Sequence, residues 1–368
     1  MSDWRDATRA CVHCGLCLPV CPTYIELGEE ADSPRGRIQL LEALLTDDTQ
    51  SALGPADVAP HIDRCIGCLA CETACPSGVA YGDLLEEGRR RLGPPKKWTR
   101  WFLKYLLPRT HLVRALAAGG RMLGKVPRAR EAGAWPAPPP KPRARIALHL
   151  GCVTPALYPH LAHDAALVLT QLGYAVEAPT TQRCCGALLR HAGLPDESER
   201  AAIDRLGREY DMVVSTAAGC SVTDGITDVT KLILDEIASG GRALAGARIS
   251  PAQKVVWDAP CHLQHAQDIH VGGLLENIDG IELQELPGAD RCCGAGGLYM
   301  AVSADLARDV RASKLDAIEQ SGADIVATAN PGCMFWLWRG LRERGLSIEV
   351  RHPVSLIAEA LRVHQTAR

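Results

Sequence analysis

No stretch of this chain approaches the roughly 18 uninterrupted apolar residues that a bilayer-spanning helix needs. The opening segment, MSDWRDATRA, has neither an apolar run nor a small-residue cleavage site, so no secretory signal is expected there. A Gly-x-Gly-x-x-Gly turn is also missing, which argues against a flavin or nicotinamide held by this chain. No acid, base and nucleophile stand out as a set for dehydrogenation. These absences point to a cytoplasmic protein whose chemistry is not carried by the usual dehydrogenase parts. In a reducing compartment, clustered thiols read as metal ligands rather than disulfides, and this chain has 16 cysteines in 368 residues.

Eight of them form one phrase given twice: Cys11-x2-Cys14-x2-Cys17-x3-Cys21-Pro22 and Cys65-x2-Cys68-x2-Cys71-x3-Cys75-Pro76. This is the two-cluster ferredoxin pattern, in which three cysteines of a run serve one iron-sulfur cube and the fourth crosses to the other. The pattern assigns Cys11, Cys14, Cys17 and Cys75 to one [4Fe–4S] cluster. It assigns Cys65, Cys68, Cys71 and Cys21 to a second. Zinc is the alternative occupant, but zinc knuckles do not need three evenly spaced cysteines per run.

Between the two runs, Asp32-Ser33-Pro34-Arg35 predicts a helix start, with Asp32 or Ser33 as cap and Pro34 in the first turn. Ile38, Leu40, Leu41, Leu44 and Leu45 supply its apolar face. Arg35 and Arg37 either offset the negative charge of thiolate-ligated clusters or are solvated. Helices rather than hairpins separate the cysteine loops, so residues 1–92 read as an α-helical ferredoxin domain.

Residues 93–142 read as a connector. The net charge of −3 hides an asymmetry: from Arg89 to Arg145 there are sixteen Lys/Arg against Glu131 alone, a local +15 that leaves −18 elsewhere. Such a segment suits an anionic lipid surface or partner; no nucleic-acid recognition motif accompanies it. Trp98, Trp101, Phe102, Tyr105 and Leu106 share one helical face, with Lys96, Lys97, Arg100 and Lys104 mostly on the other. That pattern fits an interfacial amphipathic helix, giving membrane-surface contact through residues 96–126. It fits equally a helix packed on protein. Trp135-Pro-Ala-Pro-Pro-Pro-Lys-Pro142 predicts a stiff, extended linker.

Beyond the linker, strands at Arg145–Leu150, Met212–Thr216, Lys254–Trp257 and Ile325–Thr328 alternate with helices, which predicts parallel sheets. This half repeats itself over residues 143–250 and 251–368. The first copy carries Cys152, Cys184-Cys185-Gly186 and Cys220; the second carries Cys261, Cys292-Cys293-Gly294 and Cys333. Intervening lengths are 31 and 34 residues in the first copy, 30 and 39 in the second. The outer cysteines follow strands and the Cys-Cys-Gly units precede helices, so four thiols converge on one sheet edge in each copy. Adjacent cysteines diverge too far to serve one zinc ion well. They suit a larger cluster, or one thiolate ligand beside a free thiol, and the glycine permits positive φ. A further iron-sulfur cluster, zinc or a redox-active thiol pair all remain open for these sites. His13, His149, His262 and His265 lie near cysteines, where they can tune a ligand or bond to backbone.

Cys11-Val-His-Cys-Gly-Leu-Cys17, Cys21-Pro-Thr-Tyr24, Asp32-Ser-Pro-Arg-Gly-Arg-Ile38 and the two Cys-Cys-Gly repeats together resemble the iron-sulfur subunit of glycolate oxidase. The likeness continues through Gly151–Leu157, Cys261–Gln267 and Thr328–Cys333. It implies an α+β multidomain chain: an α-helical ferredoxin domain followed by two α/β cysteine-rich (CCG) repeats. It also implies a separate FAD-containing dehydrogenase subunit that oxidises glycolate or another 2-hydroxy acid. This chain then relays electrons to a quinone or other membrane acceptor; the basic connector adds the expectation that it sits peripheral on the inner face of the cytoplasmic membrane. The repeats are similar as well to those of heterodisulfide reductase, which end in Cys-x-x-Cys. Here Cys220 precedes Ser-Val-Thr and Cys333 precedes Met-Phe-Trp, which speaks against a heterodisulfide-reductase-like thiol/disulfide redox role. That role stays as one alternative, and the iron-sulfur subunit of anaerobic glycerol-3-phosphate dehydrogenase, which shares the two-part layout, is another.

Overall fold

A computed structural model describes residues 4–46, 53–94, 96–239, 246–270 and 272–366. The chain divides into two compact units. The first comprises residues 1–104 with two later segments, 187–196 and 291–313. The second comprises 105–186, 197–290 and 314–368.

In the first unit, Ser33 caps the helix Pro34–Leu45: its Oγ accepts from Gly36 N at 3.0 Å, and Pro34 occupies the first turn. Helices Pro55–Asp63 and Tyr81–Leu92 pack against it through Leu41, Val58, Ile62 and Leu84, all fully buried. Gly88 permits the approach, since a Cβ there would lie 2.1 Å from Leu41 Cδ2. A short helix at Pro22–Leu27 follows the first cysteine run, and another at Ala70–Thr73 lies within the second and carries Cys71. The amphipathic stretch forms a helix at Lys97–Trp101 that widens into a π-turn over Phe102–Leu106. Its buried side chains are Thr99 and Leu103; Trp98, Trp101 and Tyr105 are exposed.

The second unit contains two sheets of four parallel strands. The strands are β1 (Arg145–His149), β2 (Ala175–Glu177), β3 (Met212–Ser215), β4 (Thr227–Asp228), β5 (Arg248–Trp257), β6 (Asp279–Gln284), β7 (Ile325–Ala327) and β8 (Glu349–Arg351). The orders are β2-β1-β3-β4 and β6-β5-β7-β8, so the sequence repeat is also a repeat of topology. Ile146, Ala147 and Leu148 of β1 are wholly buried, as expected of a parallel strand covered on both faces. Helices His160–Gln171 and Pro353–Thr366 pack together, with Leu161 and Leu169 in one apolar core with Leu356 and Ile357. Ser355 Oγ and Arg362 Nη2 each donate to Asp164, at 2.7 Å. A helix at Thr110–Met122 precedes residues 125–144, where no helix or strand forms. Among the described residues, no helix is long and apolar enough to cross a membrane.

Candidate metal centre

The two cysteine runs interleave. Cys11, Cys14 and Cys17 share one cleft with Cys75 of the other run. Arg35 and Tyr81 lie on its wall, and Cys71 also reaches it. Arg35 ties this loop down, donating through Nη1 to His13 O at 3.1 Å while its Nε holds Glu30 at 2.6 Å. His13 adopts φ 55°, and its Nδ1 lies 4.0 Å from Cys11 Sγ.

Cys21 lies instead with the second run. Burial pushes the Cys71 thiol well above its ordinary value, and charge on Cys68, Cys65 and Cys21 pushes in the same direction. Cys21 is itself raised by burial, while Arg37 pulls it back. Three thiols of each run therefore gather with one from the other, and Cys71 borders both places. Each set offers sulfur donors alone, which fits a thiolate-ligated iron-sulfur cluster.

Cationic and hydroxyl groups surround the second set. Arg37, 1% exposed, places Nη1 3.9 Å from Cys21 Sγ and donates from Nε to His61 O at 2.7 Å. Its Nη2 donates to Thr23 Oγ1 at 3.0 Å, and the Thr23 hydroxyl lies within hydrogen-bond reach of both Asp32 O, at 3.3 Å, and Cys21 Sγ, at 3.4 Å. Burial opposes charge on Arg37, yet Cys65, Tyr81, Cys21 and Asp32 raise its pKa overall, so it stays protonated. Asp32, wholly buried, takes Arg37, Arg64 and His61. Tyr81 OH donates to Cys65 Sγ at 3.5 Å, and Arg89 Nη2 to Cys65 O at 2.5 Å. Neither Tyr81 nor Arg89 carries a sequence signal, because both act from a helix well past the cysteine run.

The first Cys-Cys-Gly set converges as its spacing predicts. Cys152 follows β1, Cys220 lies in the short helix Ala218–Ser221 after β3, and Gly186 turns with φ +84° into the helix Ala187–His191. Cys184 hydrogen-bonds both Cys152 and Cys185, contacts that push its thiol well above the ordinary value, with burial adding to them. Cys220 is raised in the same way by Cys185 and by burial. Gly151 brings backbone against this set: a Cβ there would lie 3.5 Å from Cys220 Sγ. All four thiols thus meet in the second unit, an arrangement able to hold a metal or cluster by sulfur.

The second set is divided between the units. Cys261 opens the helix Cys261–Gln267 after β5, and Cys333 lies in the first turn of the helix Pro331–Glu343 after β7, where Asn330 Nδ2 donates to its sulfur at 3.4 Å. Cys292 and Cys293 belong to the first unit. Cys292 Sγ accepts from Gly294 N at 3.4 Å, and Cys292 hydrogen-bonds Cys68. That bond holds the Cys68 thiol below its ordinary value despite burial. Sequence spacing carries no sign of this pairing.

The histidines near cysteines mostly serve the backbone. His149 Nε2 bonds Arg183 O at 2.8 Å, and His265 Nε2 meets Asp290 O at 3.3 Å. His262 Nδ1 lies 3.6 Å from where a Cβ of Gly219 would stand.

Comparison with known proteins agrees with this geometry. Residues 7–79 match the 4Fe-4S dicluster domain family, and residues 146–223 and 255–338 each match the cysteine-rich domain family. The chain is 32% identical to the glycolate oxidase iron-sulfur subunit of Escherichia coli (strain K12), across 96% of this chain and 94% of that protein. It is 30% identical to the probable glycolate oxidase iron-sulfur subunit of Bacillus subtilis (strain 168), across 95% and 93%. One of the fumarate reductase (CoM/CoB) subunits of Methanothermobacter marburgensis is 24% identical across 94% of this chain and 71% of its own length. With two dicluster runs, two cysteine-rich repeats and relatives matched almost end to end, the chain belongs to the family of glycolate oxidase iron-sulfur subunits.

Proposed function

We propose that this chain is the electron-transfer subunit of a flavin-dependent 2-hydroxy-acid dehydrogenase, with glycolate as substrate and a quinone-type acceptor. The observation that carries the reading is the interleaving of the two cysteine runs, three thiols of each meeting the fourth of the other. Cys11, Cys14, Cys17 and Cys75 hold one [4Fe–4S] cluster; Cys65, Cys68, Cys71 and Cys21 hold the second. When bound, these clusters supply one-electron carriers between a two-electron flavin and a two-electron acceptor. The first Cys-Cys-Gly set offers four sulfur donors for a further cluster or metal. By the sequence repeat, Cys261, Cys292, Cys293 and Cys333 make the second set.

This chain's own residues fix the surroundings. Arg37, Thr23 and Tyr81 direct positive charge and hydrogen-bond donors at ligand sulfurs, which stabilises the more negative, reduced state. Arg35 and Arg89 anchor the loops that present the cysteines. Oxidation of the hydroxy acid to the 2-oxo acid releases two electrons and two protons, and takes place on a partner chain that binds FAD. Two electrons and two protons convert the quinone to its quinol.

The test is to assay the purified chain for glycolate oxidation alone and then with an FAD-containing glycolate dehydrogenase subunit. The expected result is no activity alone and quinone reduction when the two are combined. Glycolate oxidation by this chain without flavin would refute the division of labour.

A further inference from the structure

The two cysteine runs of the first unit share one pattern but not one environment. Val12 follows the first cysteine of its run, and Ile66 follows the first cysteine of the other. Ile66 is 8% exposed and Val12 67%. The segment 291–313 covers Ile66: a Cβ on Gly296 would lie 2.8 Å from Ile66 Cγ2. The same segment brings Cys292 to Cys68, the second cysteine of that run. Cys14, its counterpart in the first run, is exposed, as are His13 beside it and Leu16 two residues on, at 54%. One loop is roofed by protein and its counterpart is bare.

Val12 and Leu16 put apolar surface beside a ligand sulfur, and exposed Pro76 of the other run borders the same cleft. The loop is held in shape: Arg35 donates to His13 O at 3.1 Å, and Gly15 turns at φ +84°. A fixed apolar patch gives up little conformational freedom when a partner covers it. Exposed patches of this kind mark interaction sites.

Charge selects the class of partner. From Cys11 to Pro34 the chain exposes Glu26, Glu29 and Glu30 and has no Lys or Arg. Arg35 and Arg64 lie nearby, but each is held by a carboxylate, Glu30 at 2.6 Å and Asp32 at 2.8 Å. Thiolate ligands add further negative charge. An anionic lipid surface would repel this face, whereas a protein with a basic rim would be drawn to it. The basic and aromatic surface of the unit belongs to another element, the helix Lys97–Trp101, whose Thr99 shares a cavity with Cys65. Lys96 pins that helix by donating to Val302 O at 2.9 Å. Lysines and tryptophans therefore gather by Cys65 rather than on the cleft that Cys14 lines.

We propose that the loop Cys11–Cys17, with Val12, Cys14 and Leu16 at its centre, is the docking face for the FAD-containing subunit, a protein with a basic rim. The proposal rests on the reading of this chain as the electron-transfer subunit of that complex. The bare run meets the electron donor, and the covered run, with Cys292 against Cys68, leads into the chain. Each acid oxidised on the partner supplies two electrons, which cross this face one at a time while the two protons are released on the partner.

Surface plasmon resonance of the cluster-loaded chain against an FAD-containing glycolate dehydrogenase subunit tests it without turnover. Val12→Ala with Leu16→Ala is expected to weaken binding about 10-fold, and Leu16→Arg by more, as for loss of a central apolar contact. Iron content and the EPR of the reduced protein should not change in either. Hydroxyl-radical footprinting of the wild-type complex, which needs no variant, should protect His13 and Leu16 and leave Trp98 as reactive as in the free chain. Wild-type affinity in both loop variants, or no protection of Leu16, would overturn the assignment while the electron-transfer reading stands. Loss of self-association or of vesicle binding in the loop variants, with flavoprotein binding intact, would overturn it in favour of a second copy or of lipid. If the wild type binds no FAD subunit, the reading beneath the proposal fails as well.

Discussion

The guanidinium of Arg37 lies 3.9 Å from the sulfur of Cys21, at a position 1% exposed to solvent. A unit charge about 4 Å from another interacts by about 4 kcal/mol at an effective permittivity near 20; Asp32 beside Arg37 offsets part of this. Arg37→Gln is therefore expected to lower the midpoint potential of the cluster sharing Cys21 by on the order of 100 mV. It is also expected to cost about 3 kcal/mol, the low end for breaking a buried pair, because Arg64 and His61 still hold Asp32. Redox titration followed by EPR reads the first effect and urea unfolding the second. An unchanged potential would show that the charge is not felt at the sulfur.

Cys292 offers a separate handle. It hydrogen-bonds Cys68 and its sulfur accepts from Gly294 N, so within the first unit it serves a neighbouring ligand. Cys292→Ala removes a donor to that ligand. The potential of the cluster held by Cys68 should fall by roughly 40 mV per kcal/mol of hydrogen bond lost. The cluster of Cys11, Cys14 and Cys17 should keep its potential, and iron per chain should not change. Loss of about four irons would instead make Cys292 a ligand.

Acid should weaken the second unit. Burial lowers His352 to about 3 and His160 to about 4, so both stay neutral in the fold while the unfolded chain protonates them below the ordinary value near 6.5. Stability from these two is lost as pH falls, by about 1.4 kcal/mol per pH unit each. Asp228, pushed up to about 6 by burial, acts oppositely: below pH 6 the fold keeps a proton that the unfolded chain releases. The net expectation is a loss of about 3 kcal/mol between pH 7 and pH 5. Urea unfolding at the two pH values measures it. His352→Gln should flatten the dependence, and a slope of opposite sign would contradict this balance.

Trp98 and Trp101 are 43% and 58% exposed beside Lys96, Lys97 and Arg100. The chain is expected to co-sediment with anionic vesicles, each basic residue at the surface contributing about 1 kcal/mol at low salt. The tryptophans should leave a salt-resistant fraction that Trp98→Ala with Trp101→Ala removes. Absence of vesicle binding at low salt would contradict surface association.

Much of this architecture is legible in sequence because cluster chemistry constrains spacing. The two runs announce their interleaving, and Ser33-Pro34 announces a helix start. Gly186 and Gly294 have the positive φ that the Cys-Cys-Gly units called for, +84° and +82°. Other features have no local signature. β4 spans two residues and β8 three, too short for a periodic pattern. Arg37 looks like any helix arginine until helices Pro34–Leu45 and Tyr81–Leu92 close around it. The contact of Cys292 with Cys68 joins residues more than two hundred positions apart, a relation that only the folded chain defines.

Iron and acid-labile sulfide per chain, measured on anaerobically prepared protein, test the central claim most directly. The account predicts a brown protein with at least about eight irons and as many sulfides, four of each per cluster. About twelve to sixteen irons would mean that the Cys-Cys-Gly sets are filled too. A colourless protein carrying zinc in place of iron would contradict it.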